Sequence, residues 1–217
     1  MSNFIVFIFS LFIAFVALWG VLGQSGIRDK KPRPVHFCYY TTLSNLLIAF
    51  YHLLLCLALA LRLEGLLAFL RRPVICLSVM LCILLTFLVY HFLLRPAQTK
   101  QGAYLKNTAQ ILDNYCVHYF APLLTLAGWL LFAPKDGLTF ADAALWLLCP
   151  LAYLAFALVR APIGPPFYEG GPRYPYAFMD FDKLGPRRAL ANCALMFVGG
   201  YALGCLFVLL AKAITSA

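Results

Sequence analysis

Apolar runs close to 20 residues long, each closed by a cluster of charge, proline or glycine, repeat along this chain. They cover residues 4–22, 42–61, 73–94, 114–132, 143–159 and 189–211. A helix needs roughly 20 apolar residues to cross about 30 Å of hydrocarbon, so the pattern predicts six spans. Continuous runs such as HLLLCLALAL (52–61) lack the strict alternation of a membrane barrel strand. The fifth run is the shortest and carries Pro150 near its middle, where a helical hydrogen bond must be lost. The expected fold class is all-α, a polytopic transmembrane helix bundle, with residues 1–217 as a single transmembrane domain. The first run has no Lys or Arg before it and no clear small-x-small cleavage site, so it reads as a retained helix.

Composition narrows the class further. The 217 residues are 64% hydrophobic and 12% charged, against about 25% charged in soluble domains. Disorder requires the opposite balance. The net charge of +9 has no soluble basic face to sit on, so no nucleic-acid partner is expected. Its distribution instead suggests a topology. Twelve of the 17 basic residues fall in the loops 23–41, 95–113 and 160–188. Those loops share one side if six helices alternate, which places them in the cytoplasm and both termini outside. The protein is thus expected to be a multi-pass membrane protein, of the inner membrane in a bacterium. The eight cysteines form no C-x-x-C pair and lie mostly within spans, as small buried apolar groups do. No metal or cofactor is expected.

Polar side chains inside spans mark sites or interhelical ties, and here they gather at one level. Thr41, Thr42, Ser44 and Asn45 open the second span, Tyr90 and His91 close the third, and Asp113, Asn114 and His118 open the fourth. Asn192 lies near the start of the sixth. Pro122, four residues after His118, cannot bond that residue's carbonyl and should bend the helix beside it. Asn114, one turn earlier, is placed to orient the imidazole. His52 is the outlier, roughly 15 Å deeper than Thr42 at 1.5 Å per residue. The segment 161–186 combines six prolines and four glycines with interleaved aromatics, which predicts an ordered headgroup-level loop rather than helix. Its central motif contains Tyr174, Tyr176, Asp180 and Asp182. Gly200 and Gly204 form a small-xxx-small pair for close helix approach.

The strings YYTTLSNLL, VYHFLLRP, HYFAPLL, ADAALWLLCPLAY and YPYAFMDFDKLG resemble the bacterial six-span membrane proteins of the Pr-six-Pr family, from about residue 38 to residue 199. More distantly, their order is similar to the eukaryotic androgen-induced-protein family, membrane threonine hydrolases that cleave fatty acid esters of hydroxy fatty acids. That resemblance implies a Thr near the start of one span and a His in a later one. Thr42, flanked by Tyr40 and Asn45, matches the Thr, with Thr41 an adjacent alternative, and His118 with Pro122 matches the His.

From the residues themselves, Thr42 as nucleophile and His118 as base form a coherent pair, because a Thr hydroxyl attacks only when a base removes its proton. Asn45, His91, Asn114 and Asn192 would support it, with Asn45 or Asn192 as oxyanion donors. The expected function is hydrolysis of a lipid ester, with membrane lipids or such an ester as partner. One alternative is a non-enzymatic protein that binds lipid or a partner through loop 161–186. Another is a haem carrier on paired histidines, for which His52 has no obvious mate.

Overall fold

The computed structural model describes residues 3–100 and 108–216. Lys106, part of the basic loop above, lies outside them. Every regular element among the described residues is helical. Six helices are long and apolar enough to cross a membrane: α1 (Asn3–Gln24), α2 (Tyr40–Ala60), α3 (Pro73–Ala97), α4 (Thr108–Phe132), α5 (Asp142–Ile163) and α6 (Pro186–Thr215). The largest extension at one end of an apolar run is in α4, whose first turns, TAQILDNY, are polar yet contain no glycine or proline to stop them. In α6 the helix starts at Pro186, where a first-turn proline loses no hydrogen bond.

The chain forms two compact units, residues 1–137 and 138–217. In the first, α1 packs on α2 and α4, and α3 packs on α2 and α4. Ile13, Ala17, Ile48, Ala49, Ile83 and Ala121 form the centre of its core. Between helices in lipid, close fit matters more than the hydrophobic effect, and glycine supplies it. A Cβ on Gly20 would stand 2.6 Å from Val117 Cγ1, and one on Gly23 would overlap the Asp113 carboxylate. Larger residues at either position would push the start of α4 away from α1. Among the described residues no disulfide is formed, and Cys56, Cys76, Cys82, Cys116 and Cys193 are buried.

The second unit contains α5, the loop after it and α6. Pro150 cannot donate to the Trp146 carbonyl, and the helix tightens just ahead of it. Leu147 N–H bonds Ala144 O at 3.1 Å, and Cys149 N–H takes the Trp146 carbonyl at 3.2 Å, each three residues back. Regular helix then resumes at Leu148 and runs through Pro162 to Ile163, further than the proline content suggests. Gly200 and Gly204 face this tightened turn: a Cβ on Gly204 would lie 2.7 Å from the Ala143 carbonyl, and one on Gly200 would lie 2.9 Å from Leu147. The loop is held by its own polar groups. Arg160, buried, donates to the carbonyls of Arg173 and Pro165 and lies 4.3 Å over the Phe167 ring. Asp180 caps the short helix Phe181–Leu184, and Gly185 at φ 73° turns the chain into Pro186, a conformation glycine adopts without penalty.

Candidate functional site

The polar level expected at one end of the first unit is built on two local distortions. At Tyr90–Leu94 in α3 and Cys116–Phe120 in α4 the helix widens by one residue. Arg95 N–H bonds Tyr90 O, and Ala121 N–H bonds Cys116 O, each five residues back. A proline stands two residues past the end of each wide turn, Pro96 and Pro122. In the wide register the Val117 carbonyl would need an N–H from residue 122, and proline has none. Asn45 Nδ2 reaches across from α2 and donates to that carbonyl at 3.0 Å. The proline expected to bend α4 therefore also creates the acceptor that ties α2 to it. Wide turns of this kind recur at functional sites.

His118 sits in the middle of the α4 distortion, 7% exposed. Its Nδ1 is 3.0 Å from the Asn114 carbonyl. A carbonyl can only accept, so Nδ1 carries the hydrogen and Nε2 is left with its lone pair. That bare nitrogen faces Thr41 Oγ1 at 3.5 Å, longer than a formed O–H···N bond but within the looseness that catalytic pairs show before substrate closes them. The sequence pattern places Thr42 opposite the histidine. One residue along a helix rotates a side chain by about 100°, and of the two buried threonines it is Thr41 that turns to the imidazole.

Two supporting assignments change character. Asn45 is fully buried and gives both amide hydrogens to backbone, to Thr41 O at 2.8 Å and Val117 O at 3.0 Å. No hydrogen is left for an oxyanion, so Asn45 fixes the Thr41 turn instead. Asn114 orients the imidazole through its main-chain carbonyl, while its side chain donates to Tyr90 Oη at 2.7 Å. The sequence pattern puts Tyr90 at this level without assigning it a role. Its ring stacks on His118 at 3.7 Å between centroids and 20° between planes. The only signal for it in the sequence is that Tyr90 and His118 both lie a turn or two ahead of a proline, Pro96 and Pro122; the stacking itself is not legible there. Ser44 Oγ and Thr86 Oγ1 lie 2.7 Å apart and tie α2 to α3 below Thr41.

His91 lies in the same layer but turns away from the hydroxyl. Its Nδ1 is 3.2 Å from Tyr119 Oη, which also accepts from Arg95. Nearby, Arg28 and Asp113 form an ion pair at 2.7 Å, with Asp113 at 6% side-chain exposure. The hydrogen bond to Asp113 holds the Arg28 guanidinium above its ordinary pKa. Asp113 is therefore committed to Arg28 and is not the third member of a triad.

The other expected site residues belong to the second unit. Asn192 Nδ2 donates to the Phe178 carbonyl at 2.9 Å. Asp182 accepts two bonds from Arg173, both 2.9 Å, and Asp180 accepts from Lys183 N–H at 3.1 Å. Tyr174 leans on Phe181, and Tyr176 stacks on Phe178 at 5.5 Å and 4°. These residues hold the loop's shape. Among the described residues, no group of three His, Cys, Asp or Glu side chains could hold a metal ion. No family model, curated protein or solved structure matches the chain.

Proposed function

We propose that the protein is an intramembrane hydrolase of lipid esters with Thr41 as nucleophile and His118 as general base. The observation that carries this reading is a threonine hydroxyl facing the lone-pair nitrogen of an imidazole whose other nitrogen is fixed by a carbonyl. Thr41 Oγ1 attacks the ester carbonyl carbon while its proton passes to His118 Nε2. The tetrahedral intermediate collapses as that proton moves to the departing alkoxide, which leaves as an alcohol. Water, deprotonated by the same nitrogen, then releases the acid and restores Thr41. General-base assistance of this kind contributes about 10²–10⁴-fold.

Tyr90 serves twice in this scheme. Its oxygen accepts from Asn114, which leaves its hydroxyl hydrogen to stabilise the oxyanion. Its ring face lies against His118, where it stabilises the imidazolium formed during attack. The buried, helix-lined setting suits an ester carried by an amphiphile, and the resemblance to membrane threonine hydrolases points the same way. The excess of basic residues in the loops joined to this end supports a cytoplasmic site, with both termini outside.

The test is labelling of purified protein by a fluorophosphonate probe, together with turnover of a fatty acid ester in detergent or nanodiscs. Thr41→Ala and His118→Ala should each abolish labelling and turnover, and Thr42→Val should keep both. Unchanged turnover in His118→Ala overturns the reading.

A further inference from the structure

The opposite end of the first unit holds a second polar constellation. A cavity of about 50 Å³ opens between α1, α2, α3 and α4, room for about three to five waters at 10–15 Å³ each. Its walls are mostly apolar, with Phe9, Leu55 and Met80 among them, and His52 and Arg71 line it. His52 is 7% exposed, and neither of its ring nitrogens has a hydrogen-bond partner among the described residues. A buried polar group without a partner is costly, so such a ring calls for a ligand. Arg71 forms no ion pair among the described residues, and no carboxylate lines the cavity. The neighbouring cation, Lys135, is already committed: its ammonium donates to the carbonyls of Leu130 and Ala133 and lies 4.9 Å from the Trp129 ring. Arg71, Ala133 and Pro134 lie just beyond helix ends, which sets the mouth at headgroup depth.

We infer that this cavity is a carboxylate-binding site, separate from the Thr41–His118 pair. A guanidinium without a partner binds carboxylate through paired, charge-assisted hydrogen bonds. A neutral imidazole offers one N–H donor deeper in, and the apolar wall receives a short hydrocarbon tail. The carboxylate could arrive as a small soluble acid or as the headgroup of a fatty acid from the bilayer. The first enters from water at the mouth, whereas the second leaves its chain in lipid.

The experiment uses the full chain in nanodiscs of zwitterionic phosphatidylcholine, with ¹⁵N-labelled histidine. The His52 ring signals are assigned by their loss in His52→Phe. Sodium butyrate, sodium laurate and the neutral control 1-butanol are titrated separately. The expected result is a saturable shift of the His52 signals by an acid and not by butanol. Thermal unfolding should rise by about 3–6 °C at ten times the dissociation constant. Butyrate saturation identifies a site for free acids, and saturation by laurate alone identifies a fatty acid headgroup site. Arg71→Gln should weaken binding at least tenfold, and Arg71→Lys, which keeps the charge without the fork, should bind between the two. Silence of the His52 signals towards both acids, an equal response to butanol, or undiminished binding by Arg71→Gln overturns the inference. Because fluorophosphonate labelling reports only on Thr41, either proposal can fail while the other stands.

Discussion

His118 and His52 are both about 93% buried in the same four-helix unit, and their surroundings have almost nothing in common. His118 lies in a widened turn, anchored through Nδ1, stacked on Tyr90 and facing a hydroxyl. His52 lies in regular helix against a mostly apolar cavity, touching the edge of Tyr51 at 5.1 Å between centroids, with no hydrogen bond to either nitrogen among the described residues. The difference shows what converts a buried imidazole into a base. Burial alone leaves both tautomers open and both nitrogens unsatisfied. A carbonyl at hydrogen-bond distance selects one tautomer and so decides which nitrogen can take a proton. That carbonyl comes from residue 114, one turn back, and the wide turn sets the ring against it.

The sharpest break of this comparison is chemical. Thr41→Ala and His118→Ala should each lower ester turnover about 10³-fold or more, since a nucleophile and its base fail together. Retained turnover in either would reduce the His118 arrangement to a structural tie like many others. Tyr90→Phe sits next in size. It keeps the stacked ring and removes only the hydroxyl, so a loss of about 10²-fold, falling on kcat more than on KM, would identify an oxyanion donor. A change under threefold would leave the ring face as Tyr90's whole contribution.

The next effect is on stability. Asn45→Ala removes two buried hydrogen bonds and leaves the Val117 carbonyl opposite Pro122 without a donor. An orphaned buried group costs about 1–3 kcal/mol, and helix–helix hydrogen bonds in membranes tend to the low end. Denaturant titration in detergent should show that loss. Asn45→Asp, which keeps the shape but offers carboxylate oxygen to two carbonyl oxygens, should be worse than alanine.

The same details separate what the chain's pattern reveals from what it hides. The six spans are legible because apolar runs of membrane length are rare in folds that face water, and all six are helices here. The polar level is legible in part: Thr41, Asn45, Tyr90, Asn114 and His118 meet in contact, whereas Asn192, expected at the same level, bonds Phe178 in the second unit. The choice between Thr41 and Thr42 is not. It depends on about 100° of rotation about one helix, and no periodicity distinguishes two adjacent threonines at a helix start. The wide turns are hidden for a related reason. Proline announces a lost hydrogen bond without saying whether the helix bends, breaks or widens, and Pro122, Pro150 and Pro162 are accommodated in three different ways.

His36 offers the smallest effect and the cleanest control, because it lies outside the spans. It is half-buried in the turn Pro34–Cys38 between α1 and α2. Burial, and secondarily the charge of Arg33, hold its pKa below the ordinary value. A histidine with a lowered folded pKa binds fewer protons than the unfolded chain as pH falls through its ordinary range near 6.5. Stability must therefore decrease from that pH downward, where the unfolded chain takes up the proton first. His36→Gln keeps a polar side chain of similar size without titrating, and should flatten the slope of unfolding free energy between pH 7 and 5 relative to wild type. If the two slopes coincide, the acid sensitivity of this fold does not come from His36, and its lowered pKa carries no measurable stability.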